Sequence, residues 1–322
     1  MNNKEIRILI TGGSGFIGTN LVDHFEALGH TLINLDNSVP KKKEHQAYWK
    51  KIDLLDAGAL NKVVKEFLPT HVVHLAARTD LNGKQLNDYK VNTLGTNNLL
   101  AALDEIQTVQ RAIFASSMLV CRPGYIPVGE LDFATATIYG ESKKEMELLI
   151  RQKKMSYDWL IIRPTSMWGP WFQTPYKDFF DRVIAKKMYN IKNRSCTKTY
   201  GFILNGVVQI EKLLFAKTVA DKVFYIGDAP PLNIFHWTNA IANALEYKKP
   251  PSFPYFVFKM AAFAGDVLQY ASINFPMTSF RLKNMTTDNI LPLENLYKVT
   301  GAGTYSLEKA IQITLNWIKN NK

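Results

Sequence analysis

Apolar positions along this chain follow two periods. Short unbroken apolar runs such as Ile6–Thr11 (IRILIT) predict strands buried on both faces. The next stretch, FIGTNLVDHFEALG, places Phe16, Leu21, Phe25 and Leu28 on one helical stripe and ends at Gly29, a natural helix stop. The alternation continues with strands over His30–Asp36, Thr70–Ala77, Arg111–Ser117 and Asp158–Pro164. Helical patterns cover Asp88–Ile106 and Ile138–Gln152. Apolar strands alternating with helices predict an α/β fold built on a parallel sheet covered on both faces. Beyond Pro164 the alternation loosens. Pro, Trp and Gly cluster in RPTSMWGPWFQTP, and a clear amphipathic helix returns only at Leu307–Asn320. We expect two interleaved lobes packed as one body, residues 1–165 and a smaller one over 166–322.

Composition narrows the class. Of 322 residues, 47% are hydrophobic and 21% charged, which suits a globular protein with a sizeable core. The start, MNNKEIRILI, carries no signal-peptide pattern. The most apolar late stretch, PSFPYFVFKMAAFAGDVLQY, is interrupted by Lys259 and Asp266 and falls short of the roughly 20 apolar residues of a membrane span. Integral membrane insertion is therefore not expected. Weak peripheral association through Phe253–Tyr270 is weighed against a helix packed in the lobe or at a dimer interface, and the packed helix is favoured. Cys121 and Cys196 form no disulfide framework and read as reduced thiols of a cytoplasmic protein. The six histidines show no metal-ligand spacing, so no metal is expected.

The net charge of +11 fits a lysine-rich surface, an attraction for a polyanionic small molecule, or an anionic membrane surface. No nucleic-acid motif is present, and no nucleic-acid partner is expected. Lys177, Arg182, Lys186, Lys187, Lys192, Arg194 and Lys198 crowd one segment.

Candidate chemistry begins at Gly12-x-x-Gly15-x-x-Gly18, between the first strand and the first helix. Glycines there permit a tight turn and close backbone approach. The helix N-terminus beyond them offers free N–H donors to a dinucleotide pyrophosphate. Asp36 ends the second strand, 18 residues after Gly18, where a carboxylate accepts from the ribose hydroxyls of NAD and repels the extra phosphate of NADP. Lys41, Lys42 and Lys43 follow, and are read as a solvated loop. NAD is the expected cofactor.

Tyr139 and Lys143 stand four residues apart and share one helical face. A phenol with an ordinary pKa near 10 is a poor base at neutral pH. An adjacent ammonium and a cationic nicotinamide would both lower that value. Ser116 or Ser117, at the end of the preceding strand, would hydrogen-bond the reacting oxygen.

Together these residues resemble the extended short-chain dehydrogenase/reductase family, in its NAD-dependent nucleotide-sugar epimerase/dehydratase branch, over nearly the whole chain. The resemblance rests on TGGSGFIG, on Asp53-Leu54, on HLAA at His74–Ala77, on Asn92, on FASS, on YGESK, on RPTSMWGP and on KTYGFILNGVVQI. It implies a Rossmann-like doubly wound parallel sheet with a smaller C-terminal α/β substrate lobe. It also implies a cofactor set of Gly12, Gly15, Phe16, Ile17, Gly18, Asp36, Asn37, Asp53, Leu54, Leu75, Ala76, Ala77, Asn92, Tyr139, Lys143 and Pro164. It selects Ser117 as the catalytic hydroxyl beside Tyr139 and Lys143. Thr79, Ser117, Ser166, Lys198 and Arg281 are the expected substrate residues.

Departures from the family pattern matter as much. Met118-Leu119 stands where the dehydratases carry Asp-Glu, which argues against 4,6-dehydration. Ser166 replaces an Asn and Lys198-Thr199 an Arg-Asp, so the sugar does not transfer by analogy. The expected activity is C4 epimerisation of a nucleotide sugar through a transient 4-keto sugar. An NAD(P)H-dependent keto-sugar reductase or alcohol dehydrogenase is the runner-up, and an idle NAD-binding regulator is disfavoured by the intact Ser117, Tyr139 and Lys143. The family's habit implies a homodimer through the Asp88–Ile106 and Ile138–Gln152 segments.

Overall fold

A computed structural model describes residues 5–270, 273, 275 and 277–321. Residues 1–4 of the N-terminal segment weighed above as a leader lie outside the described residues. The first apolar run forms β1 (Arg7–Thr11), and the glycine corner leads into α1 (Phe16–Ala27). β2 (Thr31–Asp36), β3 (Trp49–Lys51), α2 (Ala57–Phe67) and β4 (His71–His74) follow. Then come α3 (Thr96–Asp104), β5 (Arg111–Ala115), α4 (Ile138–Gln152) and β6 (Asp158–Pro164). The later half supplies β7 (Ser166–Trp168), α5 (Tyr176–Ile184), β8 (Asn190–Ile191), β9 (Thr197–Lys198), β10 (Tyr200–Phe202) and α6 (Ile203–Phe215). It continues with β11 (Val223–Ile226), β12 (Leu232–Asn233), α7 (Ile234–Ala244), β13 (Ser252–Phe253), α8 (Tyr255–Tyr270), α9 (Ser279–Thr286), α10 (Glu294–Thr300) and α11 (Leu307–Asn320).

Seven strands form one parallel sheet in the order β11-β6-β5-β4-β1-β2-β3. Successive side chains of a strand point to opposite faces. Ile8 and Ile10 thus join Leu21, Val207 and Ile311 in one core, beneath α1, α6 and α11. Leu9 joins Leu60, Leu100 and Met146 in the other, beneath α2, α3 and α4. This is the doubly wound Rossmann-like arrangement. The outermost strand, β11, comes from the later half and pairs with β6, Val223 opposite Ile161. Arg111 of β5 ties the sheet to the end of α6 by donating to the carbonyls of Leu213 (2.8 Å), in its last turn, and Ala216 (2.6 Å), just beyond it.

The helix predicted over Asp88–Ile106 is broken in the structure. It consists of a 3-10 turn at Leu86–Tyr89, a π turn at Val91–Gly95, and α3. The cause is local. Asn92 turns inward to bond the Arg78 backbone, and Thr96 Oγ1 donates to the Asn92 carbonyl at 2.8 Å. An inserted side chain of this kind widens one turn, a disturbance frequent at functional sites.

Two buried carboxylates fasten elements within the fold. Glu147 of α4 receives two hydrogen bonds from Arg163 of β6, at 2.9 and 2.8 Å, and neither side chain is more than 1% exposed. Asp228 accepts from Phe202 N (2.6 Å) and Asn205 Nδ2 (2.9 Å), tying the chain after β11 to the start of α6. Burial pushes the Asp228 carboxyl up to about 6, against the lowering effect of those two bonds. The folded state therefore holds this proton more tightly than the unfolded state does. Its contribution to stability is full below about pH 4 and is lost as pH rises through about 6. Asp228→Asn is expected to remove that part of the pH dependence in urea melts taken across this window. An unchanged slope would assign it to other groups.

Candidate active site

The corner after β1 is held by backbone. Gly12 N donates to Leu35 O (2.9 Å), and Gly15 N to Gly12 O (3.0 Å). Gly12 has φ of 75°, and a Cβ there would stand 2.5 Å from Ala76 N. Only glycine suits both the angle and the space. Gly15 caps α1 without a side chain, so the first-turn N–H groups of the helix keep no side-chain acceptor.

These donors face a cleft of about 640 Å³ along the carboxyl ends of the sheet strands. Every predicted cofactor residue lines it except Asn92. Asn92 sits behind the wall. Its Oδ1 accepts from Arg78 N (2.8 Å), and its Nδ2 donates to Arg78 O (3.1 Å) and Ser142 Oγ (2.9 Å). It thus clamps the segment after β4 to α4. Asp36 lines the cleft while accepting from Ser14 N (3.0 Å) and Ser38 N (2.9 Å).

At the floor, Ser117 and Tyr139 line the cleft together, the Ser117 hydroxyl near enough to the phenol to favour its ionised form. The Ser117 hydroxyl accepts from Leu119 N at 3.1 Å, which caps the following short turn. Thr137 caps α4 through Gly140 N (3.0 Å) and so fixes where Tyr139 enters the cleft. Lys143, one turn on, donates to the Ala115 carbonyl at 2.8 Å. Burial dominates both titrations. It pushes Tyr139 up to about 12, opposed by the Ser117 hydroxyl, and pulls Lys143 down to about 7, opposed by Glu147. The neighbouring ammonium is engaged by the Ala115 carbonyl, and desolvation outweighs whatever lowering of the phenol it provides.

The predicted substrate residues separate. Thr79 and Ser117 line the cleft. Ser166 is buried behind it, its hydroxyl donating to Met118 Sδ at 3.9 Å and lying near the phenol of Tyr176, a residue that does line the wall. Lys198 donates to the Asn284 carbonyl of α9 at 2.8 Å. Arg281, also on α9, lines a separate apolar cavity of about 400 Å³. The expectation that these two cations lie in the cleft is corrected: both gather at α9.

Sequence reasoning gave no role of their own to two residues in or behind the site, His74 and Tyr176, and set Ser116 aside in favour of Ser117. His74 is buried between the hydroxyls of Thr11 (2.7 Å) and Thr96 (2.9 Å), and burial lowers it to about 3, so it stays neutral. Ser116, on the cleft wall, keeps a buried hydroxyl without a hydrogen-bond partner. Tyr176 forms part of the far wall, and the Pro-Trp-Gly cluster before it was its only signal. The bare α1 terminus, the glycine corner that a Cβ would block, and the orphaned Ser116 hydroxyl together fit a dinucleotide.

Residues 8–229 match the family model described as the NAD dependent epimerase/dehydratase family. The chain belongs to that family. NAD is accordingly its cofactor. A UDP-glucose 4-epimerase of Vibrio cholerae is 35% identical over 259 residues, 74% of this chain and 76% of the relative. An N-acetyl-alpha-D-glucosaminyl-diphospho-ditrans,octacis-undecaprenol 4-epimerase of Escherichia coli O157:H7 is 25% identical and covers 96% of this chain and 94% of its own. The solved UDP-glucose 4-epimerase of Thermotoga maritima superposes with a TM-score of 0.76 at 20% identity, over 98% of this chain and 99% of that one. Membership accounts for the arrangement of glycine corner, Asp36 and Tyr139–Lys143 around one cleft in this epimerase/dehydratase-family chain.

Proposed function

We propose that this chain epimerises a nucleotide-linked sugar at C4 through a transient 4-keto sugar. The observation that carries the reading is the Ser117–Tyr139 hydroxyl pair at the floor of the cleft, with Lys143 one turn away. Bound NAD supplies reversible hydride exchange with a carbon that bears a hydroxyl. Tyr139 takes the C4 hydroxyl proton at its Oη and returns it after the sugar has turned. Ser117 donates to the C4 oxygen throughout. Lys143 holds the nicotinamide ribose and places its positive charge to favour the phenolate. Asp36 accepts from the adenosine ribose, and the α1 terminus meets the pyrophosphate. In this reading residues 1–165 hold the dinucleotide and residues 166–322 the sugar nucleotide. The 4-epimerases among the relatives support the choice of C4.

The test uses purified protein without added cofactor. One aliquot is denatured and its released NAD(H) measured, and a native aliquot meets a panel of UDP-, GDP-, CDP- and dTDP-sugars. The expected result is copurified NAD and an isomerised sugar with no net NADH. Conversion only when NAD(P)H is consumed would replace the epimerase with a reductase or dehydrogenase. That second reading is favoured by one observation: Ser166 and Lys198 are engaged by Met118 and Asn284, which leaves fewer polar groups for a sugar. A 3-beta-hydroxysteroid dehydrogenase of Mycolicibacterium neoaurum, 27% identical over 76% of this chain, supports it as well.

Asp36→Ala is expected to weaken NAD about tenfold or more and to relax discrimination against NADP. Titrations of both cofactors check this, and an unchanged preference would place the selector elsewhere.

A further inference from the structure

Helix α8 is apolar on two sides. One stripe, Phe258 and Ala262, packs with Ile191 and Leu282 in a small core of its own. The other stripe, Phe256, Met260, Phe263 and Val267, is 62%, 68%, 71% and 52% exposed. Large apolar side chains in a continuous exposed row mark an interaction surface. The helix has 16 residues, and no helix of the described residues is long and apolar enough to cross a membrane.

Positive charge borders this row. β13 pairs with β8, and Lys192 N donates to Phe253 O at 2.8 Å. The basic segment from Lys186 to Arg194 therefore runs beside the start of α8. The Arg194 guanidinium lies 4.2 Å over the Tyr255 ring, and Lys259 is exposed on the helix itself. Tyr189 and Phe253, half-exposed, pack edge to face at 5.5 Å on the same border. The nearby acids are engaged: Asp181 with Lys177 at 2.7 Å, and Asp266 with Ser279 N at 3.0 Å.

We propose that this face docks on an anionic lipid surface. The stripe Phe256–Val267 inserts among the acyl chains with α8 lying in the interface plane. The Lys186–Arg194 segment and Lys259 meet the headgroup phosphates, and Tyr189 and Phe253 sit at the boundary, where aromatic rings accumulate. Charge selects this occupant over a second copy of the chain. Two such faces brought together would oppose basic borders, in a chain whose net charge is already +11.

The test floats the full-length, NAD-loaded protein with vesicles of phosphatidylcholine, with and without phosphatidylglycerol. The protein is expected to float with the anionic vesicles and to be released as salt rises. The pair Met260→Ser with Phe263→Ser is expected to lower partitioning about tenfold or more. The pair Lys192→Glu with Arg194→Glu is expected to do the same for anionic vesicles only. Bound NAD and melting temperature of each variant report that the fold is intact. A wild-type protein with no lipid-bound fraction at low salt overturns the proposal. So does a serine variant that floats as the wild type does. Self-association in solution that the serine pair abolishes, without flotation, would assign the face to a second copy and likewise overturn it.

Discussion

Tyr139→Phe is expected to lower kcat by about 10²–10⁴-fold while leaving bound NAD and melting temperature near the wild-type values. The ring is 7% exposed and packs 6.1 Å from Tyr89, and phenylalanine keeps that packing. What disappears is the hydroxyl beside Ser117, and with it the proton acceptor. The pH profile carries a second expectation. A base pushed up to about 12 makes the rate climb toward alkaline pH, whereas Lys143, pulled down to about 7, loses its charge as pH rises through that value. The two effects oppose each other, so whatever positive charge the bound dinucleotide brings matters most above neutrality. Single-turnover rates of both proteins across neutral and alkaline pH check the whole statement. Full activity of the phenylalanine variant would remove Tyr139 from the mechanism.

Glu147→Ala is expected to cost about 3–5 kcal/mol of stability, because it leaves the Arg163 guanidinium buried without its partner. Arg163 keeps only the Glu130 carbonyl at 2.7 Å, a weaker bond to Tyr225 at 3.3 Å, and the faces of Phe133 and Tyr225. Pairing Glu147→Leu with Arg163→Met should recover much of the loss, since apolar replacements of similar volume remove both desolvated charges together. Urea melts of the single and double variants measure this. A single variant within about 0.5 kcal/mol of wild type would mean that water reaches the pair. The site feels the change too. Glu147 is the group that opposes the lowering of Lys143, so its loss pulls the Lys143 ammonium further down and narrows the pH range in which it stays charged.

The five inner strands of the sheet, β1, β2, β4, β5 and β6, were legible as apolar runs, whereas β3 and β11 were not, and α4 falls on the predicted Ile138–Gln152 because Thr137 and the apolar stripe mark it locally. The glycine corner, Asp36 and the Tyr139–Lys143 pair were legible for the same reason: each is a local pattern tied to a strand end or helix face. What failed was non-local. The break at Asn92 depends on Arg78, which the helical period does not register. Lys198 and Arg281 looked like anion ligands as isolated cations, but α9 folds back onto β9 and engages Lys198 through a carbonyl that no pattern announces. Burial, which pushes the Tyr139 phenol up, follows from the packing of the whole cleft.

The pairing of β11 with β6 also has a consequence for biogenesis. Until residue 226 has left the ribosome, the outer hydrogen-bonding edge of β6 has no partner, although every other strand of the sheet is already available. An unpaired apolar edge of this kind invites pairing with other nascent chains. The amino-terminal lobe is therefore complete in sequence well before it is complete in structure. Cells making this protein need to shield one strand edge while roughly 60 further residues are translated, a matter of seconds at ordinary elongation rates.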